Sequence, residues 1–307
     1  MNFHTKYRPT ILDEVIGNRE VVASLRAILD GKKDVPRAIL FHGPTGCGKT
    51  TLARIFARGI GVAEEDLVEV DSADFRGVDT IREIRRQSSY MPLYGQRRAW
   101  ILDECHRMTP DAQSALLKAL EDSPEHVCYI LCTTDPQKLL PTILGRCVQY
   151  QVQPLTDLEM KQLIRRVVKA EGESLDKEVY EHIVTESEGH PREALQLLAQ
   201  ILSVEPEERS GVIFRTKEVS TQAIELCRLL LKPGTPWKQV AEVLKALENE
   251  DSERIRRAVL GYCKSILLSD NHNVRAAEVM ECFFEPTFNA GFPGIVLAAY
   301  SAVFGQN

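Results

Sequence analysis

The stretch RAILFHGPTGCGKT, residues 37–50, decides the fold. From Gly43 through Pro44, Thr45, Gly46, Cys47 and Gly48 to Lys49 and Thr50 it matches GxxxxGK[ST] in full. An apolar run that reads as a buried strand leads into it, and TTLARIFARGI, which reads as a helix, follows. Strand, glycine-rich turn and helix in that order gather backbone N–H groups and a helix amino terminus around an anion. Lys49 then reaches the β- and γ-phosphates of a nucleotide, and the Thr50 hydroxyl offers an oxygen to Mg2+. Thr51 in the first helical turn completes the phosphate-binding set. The alternative, a glycine-rich turn without a ligand, fits poorly with a complete pattern in this context.

Working outward, residues 37–153 alternate β-rich and helical segments. DLVEV, RAWILDE and VCYILCTT read as further strands, and VDTIREIRRQS and PDAQSALLKALED as helices between them. Apolar strands separated by helices imply a parallel sheet covered on both faces. Past residue 154 the β signal stops. LTDLEMKQLIRRVVKAEG, DKEVYEHIVTESEG and HPREALQLLAQIL predict a small three-helix unit over 154–203. Residues 204–218 read as a linker, and 219–307 as a second helical domain whose last helix, GIVLAAYSAVF, is apolar nearly all round.

A P-loop that hydrolyses its nucleotide needs acids on a neighbouring strand, and Trp100-Ile101-Leu102-Asp103-Glu104 supplies them at the carboxyl edge of the sheet. Asp103 suits a magnesium ligand and Glu104 the group that orients or deprotonates the attacking water. The pair alone is a weak signal. Joined to the phosphate loop, it specifies hydrolysis.

Composition bounds the rest. Of 307 residues, 44% are hydrophobic and 27% charged, which excludes a disordered or low-complexity chain. No window approaches a membrane span and the amino terminus lacks a signal-peptide apolar stretch, so the expectation is cytoplasmic, a bacterial or phage-infected host cytosol. Eight cysteines form no CxxC pair and read as buried thiols, with no zinc expected. The net charge of -6 speaks against bulk coating of nucleic acid, yet the first 100 residues hold 16 Lys+Arg against 13 Asp+Glu.

Several stretches together resemble AAA+ clamp-loader ATPase subunits. These are KYRPTILDEVIGN, GPTGCGKTTLARIFAR, VDSADFRGVDTIREIR, Asp103-Glu104-Cys105-His106, LLKALEDSPEHV, LCTTDPQKLLPTILGRC and EGHPREALQLL, spread in family order over residues 6–198. The resemblance is to bacterial DNA polymerase III gamma/tau subunits, replication factor C small subunits and phage clamp-loader large subunits. It implies an α/β P-loop AAA+ module over 1–153, a helical lid over 154–203 and an all-α collar over 219–307. It further implies ATP and Mg2+ as cofactors. Thr134 corresponds to the sensor that meets the γ-phosphate or the water, with Thr133 as fallback. Arg146 corresponds to the arginine acting in trans on a neighbour's nucleotide, and Arg192 to the lid arginine acting in cis. Tyr7, Arg8, Pro9, Val15, Ile16 and Gly17 correspond to the segment over the adenine. Gly145 replaces the family's serine before Arg146. There are two departures: Arg58 to Leu67 lacks the four-cysteine zinc insertion of gamma/tau, and no tau-like extension is expected; both point toward phage loaders and replication factor C small subunits.

The same resemblance implies a sliding clamp, primer-template DNA and fellow subunits in a pentameric spiral as partners. Arg76, the Gly77 amide and Arg82 correspond to the helix end facing DNA phosphates. Tyr90, Met91, Leu93 and Tyr94 form an apolar loop where the clamp docks, or else a core-packing loop. The expected function is the ATP-hydrolysing motor of a clamp loader. The alternatives are another AAA+ DNA-remodelling ATPase, for branch migration or helicase loading, and a stator that binds nucleotide without turnover.

Overall fold

Strands with period-2 side chains and apolar residues at nearly every position present a hydrophobic surface to both sides, so helices cover both. The computed structural model describes residues 2–71, 77–204, 222–269, 273–285 and 290–305. The chain divides into two compact units, Met1–Pro206 and Glu207–Asn307.

The first unit opens with α1 (Phe3–Lys6) and α2 (Arg19–Leu29). Strands and helices then alternate: β1 (Ala38–His42), α3 (Lys49–Gly59), β2 (Val62–Asp71), α4 (Val78–Ser88), β3 (Arg97–Asp103), α5 (Pro110–Glu121), β4 (Val127–Thr133), α6 (Pro141–Leu144) and β5 (Val148–Gln151). All neighbours in the sheet pair parallel, in the order β2-β3-β4-β1-β5. Alternate residues divide the core in two. Ile39, Phe41, Ile101 and Ile130 pack with α2 and α3, whereas Leu40, Trp100, Leu102 and Tyr129 pack with α4 and α5. Sequence reading found four of the strands. It missed β5, because only Tyr150 of VQYQ is buried, and it shortened β2, whose first half carries the acidic residues Glu64 and Glu65.

Three helices follow: α7 (Asp157–Ala170), α8 (Lys177–Ser187) and α9 (Pro191–Leu202). A capping box starts α7, in which Thr156 and Glu159 each bond the other's backbone N–H. Pro191 occupies the first turn of α9, where its missing N–H costs nothing.

In the second unit, α10 is described over 222–231 and is followed by α11 (Trp237–Ala246), α12 (Ser252–Leu268), α13 (Val274–Cys282) and α14 (Gly291–Phe304). They enclose a separate core around Leu226, Val240, Val259, Val279, Ile295 and Ala299. On α14 the side chains of Leu297, Tyr300 and Phe304 are exposed. Apart from Val204, the expected linker over 204–218 lies outside the described residues. Among the described residues, no helix is long and apolar enough to cross a membrane.

Candidate nucleotide site

The strand order puts β4 between β1 and β3, so the carboxyl ends of three adjacent strands converge. Gly43 leaves β1 there, Asp103 ends β3 and Thr133 ends β4, and the Gly43 N–H bonds the Thr133 carbonyl at 3.2 Å. Only glycine fits at position 43: φ is +144°, and a β-carbon would lie 2.0 Å from the Val152 carbonyl oxygen. Gly48, at φ +99°, caps α3 in the left-handed conformation that allows a loop's N–H groups to face an anion.

Lys49 is 5% exposed, and its Nζ donates to the carbonyl oxygens of Gly43 and Pro44, each at 2.9 Å. Burial pushes its ammonium below the ordinary lysine value, against the opposing pull of Glu104 and Asp103. The Thr50 hydroxyl donates to Asp103 Oδ2 at 2.8 Å, so two hard oxygens that suit magnesium already touch. Asp103 Oδ1 accepts the Glu104 N–H at 2.9 Å. Glu104 takes a left-handed turn, φ +49°, that ends the strand. Its Oε2 accepts from the Thr134 hydroxyl at 3.2 Å, and His106 Nδ1 lies 3.4 Å away. The Thr133 hydroxyl is engaged elsewhere, by His106 Nδ1 at 2.9 Å and by the Asp135 N–H at 3.0 Å. Thr134, and not the fallback Thr133, therefore meets the acid.

A cavity of about 340 Å³ opens over this edge. Thr45, Gly46, Cys47, Gly48, Lys49, Thr50 and Thr51 line one side, with Asp103 and Glu104 beside them; Tyr7, Arg8, Pro9, Val15 and Ile16 line the amino-terminal side; and Arg192 enters from α9. The size and mixed lining suit a nucleotide. A cradle that closes if Gly43 gains a β-carbon, a buried lysine and paired magnesium-type oxygens all fit a Mg2+-nucleotide.

Other expected residues fall outside the cavity lining. Gly17 packs against Leu155, where a β-carbon would meet Leu155 Cδ2 at 2.4 Å. Gly43 and Pro44 act through their carbonyls, and Thr134 stands behind Glu104. Arg146 follows α6, where its guanidinium bonds the Thr142 carbonyl at 3.0 Å and pairs with Glu121 on α5. Gly77 caps the start of α4, and Arg82 lies in its second turn, paired with Asp79 in solvent. Arg76 lies outside the described residues. Tyr90, Met91, Leu93 and Tyr94 are 56% to 75% exposed, which removes the core-packing reading of that loop.

Sequence reasoning missed His4, Leu163, Arg166 and Leu195 in the cavity wall, and Glu171 behind it. Glu171 accepts from the Tyr7 hydroxyl at 2.6 Å and from Lys6 Nζ at 2.7 Å, tying the amino-terminal segment to α7. The apolar face of α7 was legible, but its meeting with residues 4–9 was not.

A family model described as DNA polymerase III, delta subunit matches residues 62–156. The DNA polymerase III subunit gamma/tau of Mycobacterium tuberculosis is 38% identical over 226 residues, 66% of this chain and 39% of the relative. The tau subunit of Bacillus subtilis is 29% identical over 291 residues, 85% of this chain and 51% of the relative. The chain thus spans between about two-fifths and half the length of these curated relatives. A solved structure of the Thermotoga maritima RuvB Holliday junction branch migration motor superposes with a TM-score of 0.55 at 20% identity, covering 85% of this chain and 80% of that one. At that identity the likeness is one of fold.

Proposed function

By family the chain is an AAA+ clamp-loader subunit, and from that premise we propose that it is the ATP-hydrolysing motor that opens a sliding clamp and places it on primer-template DNA. The reading rests on one observation: Lys49, Thr50, Asp103, Glu104 and Thr134 converge at one sheet edge, with Arg192 in the same cavity, while Arg146 is not among the cavity's lining residues and pairs with Glu121. A residue with the wording of a catalytic arginine but no place in its own cavity fits a role in a neighbour's site. That requires an assembly, here a pentameric spiral.

When bound, magnesium neutralises charge on the β- and γ-phosphates. Lys49 adds a buried ammonium at the same phosphates, and Thr50 with Asp103 holds the metal. Glu104 accepts the proton of the attacking water, its carboxylate held by Thr134. Arg192 links the α7–α9 lid to the phosphates, and Arg146 stabilises developing charge in the next subunit's site, an effect worth roughly 10³ to 10⁵ in rate for such arginines.

Tyr90, Met91, Leu93 and Tyr94 dock the clamp, and Arg76, the Gly77 amide and Arg82 hold DNA phosphates. The test is retention of a clamp on a primed DNA circle by the reconstituted loader with ATP. Loading that survives Lys49→Ala in every motor position, or ATP-driven movement of branched DNA without any clamp, would overturn the proposal.

A further inference from the structure

Tyr7 lines the nucleotide cavity, its ring met edge-on by the buried Phe3 at 5.7 Å between centroids, while its hydroxyl donates to Glu171 at 2.6 Å. Glu171 caps the carboxyl end of α7 and is not among the cavity's lining residues. The same carboxylate accepts from Lys6 Nζ at 2.7 Å. Glu171 is only 17% exposed, so its bond from Tyr7 is a charge-assisted one partly shielded from water. Lys6 is 41% exposed, and its share is screened. A second tie lies within α7: Arg166, itself in the cavity wall, donates from Nη1 to the Glu14 carbonyl at 2.8 Å, next to Val15 and Ile16. In addition α1 packs on α9, the helix that carries Arg192. The amino-terminal wall of the cavity is thus fastened to both α7 and α9, whereas the phosphate loop is bonded to the sheet through Gly43 and Thr133.

We propose that Glu171 is a positioning residue of the nucleotide site, which by holding the Tyr7 hydroxyl keeps the base-side wall and the helices carrying Arg192 together as one body. Bound nucleotide then leaves only when that contact opens. The inference rests on the nucleotide reading of the cavity. The ligand spans two bodies, the phosphate loop on one side and the fastened wall and lid on the other. Glu171 touches no ligand and acts through Tyr7, so its effect falls on the lifetime of the complex. With the tie cut, the short amino-terminal segment opens by itself, a local motion that costs less than moving the whole unit. The bond also fixes what Tyr7 offers the ligand: its hydroxyl is committed to Glu171, which leaves the ring as the contact surface.

The experiment is stopped-flow release of ribose-labelled fluorescent Mg2+-ATPγS from the full chain, chased with unlabelled nucleotide. Wild type, Tyr7→Phe, Glu171→Gln, Glu171→Ala and the double variant Tyr7→Phe with Glu171→Ala are compared, with melting temperatures to confirm folding. Tyr7→Phe and Glu171→Ala each release about tenfold faster than wild type, the worth of one hydrogen bond to a charged acceptor. The double variant releases no faster than Glu171→Ala, because both substitutions remove the same bond. Glu171→Gln, whose amide oxygen still accepts the Tyr7 hydroxyl, stays within about threefold of wild type. Tyr7→Phe keeps the ring against Phe3 and decides the test by itself if Glu171→Ala does not fold. Wild-type release rates in Tyr7→Phe and Glu171→Ala overturn the inference and leave the nucleotide site standing. So do effects that add in the double variant, or a Glu171→Gln that releases as fast as Glu171→Ala. Failure of the wild type to bind the analogue overturns both.

Discussion

Lys49 holds its ammonium inside the protein against the carbonyls of Gly43 and Pro44, neutral acceptors that an anionic phosphate oxygen would outcompete. Lys49→Ala is expected to abolish nucleotide binding and turnover together, checked by fluorescent-nucleotide titration and phosphate release. Glu104→Gln separates the two. The amide can still accept from Thr134, so binding persists while hydrolysis falls by about 10² to 10⁴, the usual worth of a general base. A variant with wild-type kcat would remove Glu104 from the chemistry. These positions were legible because a local spacing encodes them. His4 and Glu171 were not: Tyr7 and Glu171 are 164 residues apart, and no periodicity or motif records a contact made by folding a helical unit over an amino terminus.

At the level of elements, the exposed loop over 90–95 is anchored by one buried acid. Asp66 on β2 is fully buried and accepts the N–H groups of Leu93, Tyr94 and Gly95 at 2.7 to 2.8 Å, with Arg98 at 3.7 Å. Burial alone would raise its carboxyl, but those three donors and Arg98 outweigh it and leave the value below the ordinary range. Asp66→Ala strands three N–H groups and a buried cation, so a loss of about 3 to 5 kcal/mol in urea unfolding is expected. Since the folded value is depressed, the stabilisation is present above the unfolded value of about 3.9 and lost as pH falls through the folded one. The gap between wild type and Asp66→Asn should therefore close in acid. Tyr94→Ala, by contrast, should change stability by less than about 0.5 kcal/mol while weakening clamp binding. The sequence reading took Asp66 as the start of a strand, because nothing in DLVEV tells a solvated acid from one buried under a loop.

Across the whole molecule, the net charge of -6 conceals a basic amino-terminal third, but the structure withdraws part of that charge from any ligand. Arg98 is 12% exposed, bonded to the Gln87 carbonyl and set beside Asp66, and Arg85 is paired with Asp122 just past the end of α5. Arg82, paired with Asp79 in solvent, is free to exchange that weak contact for a phosphate. In the assembled loader, Arg82→Ala should weaken DNA binding equally for all sequences and reduce the salt slope by about one per subunit affected, checked by anisotropy across a salt series. Fold class was readable at this scale because period-2 strands alternating with helices admit few packings. The partner expectations came only from the family resemblance, since they depend on surfaces that one chain does not complete. The most direct test of the central claim is steady-state ATP turnover by the reconstituted loader, with and without the sliding clamp and primed duplex. Turnover should rise when both are present and vanish with Lys49→Ala; a rate indifferent to clamp and DNA would contradict the account.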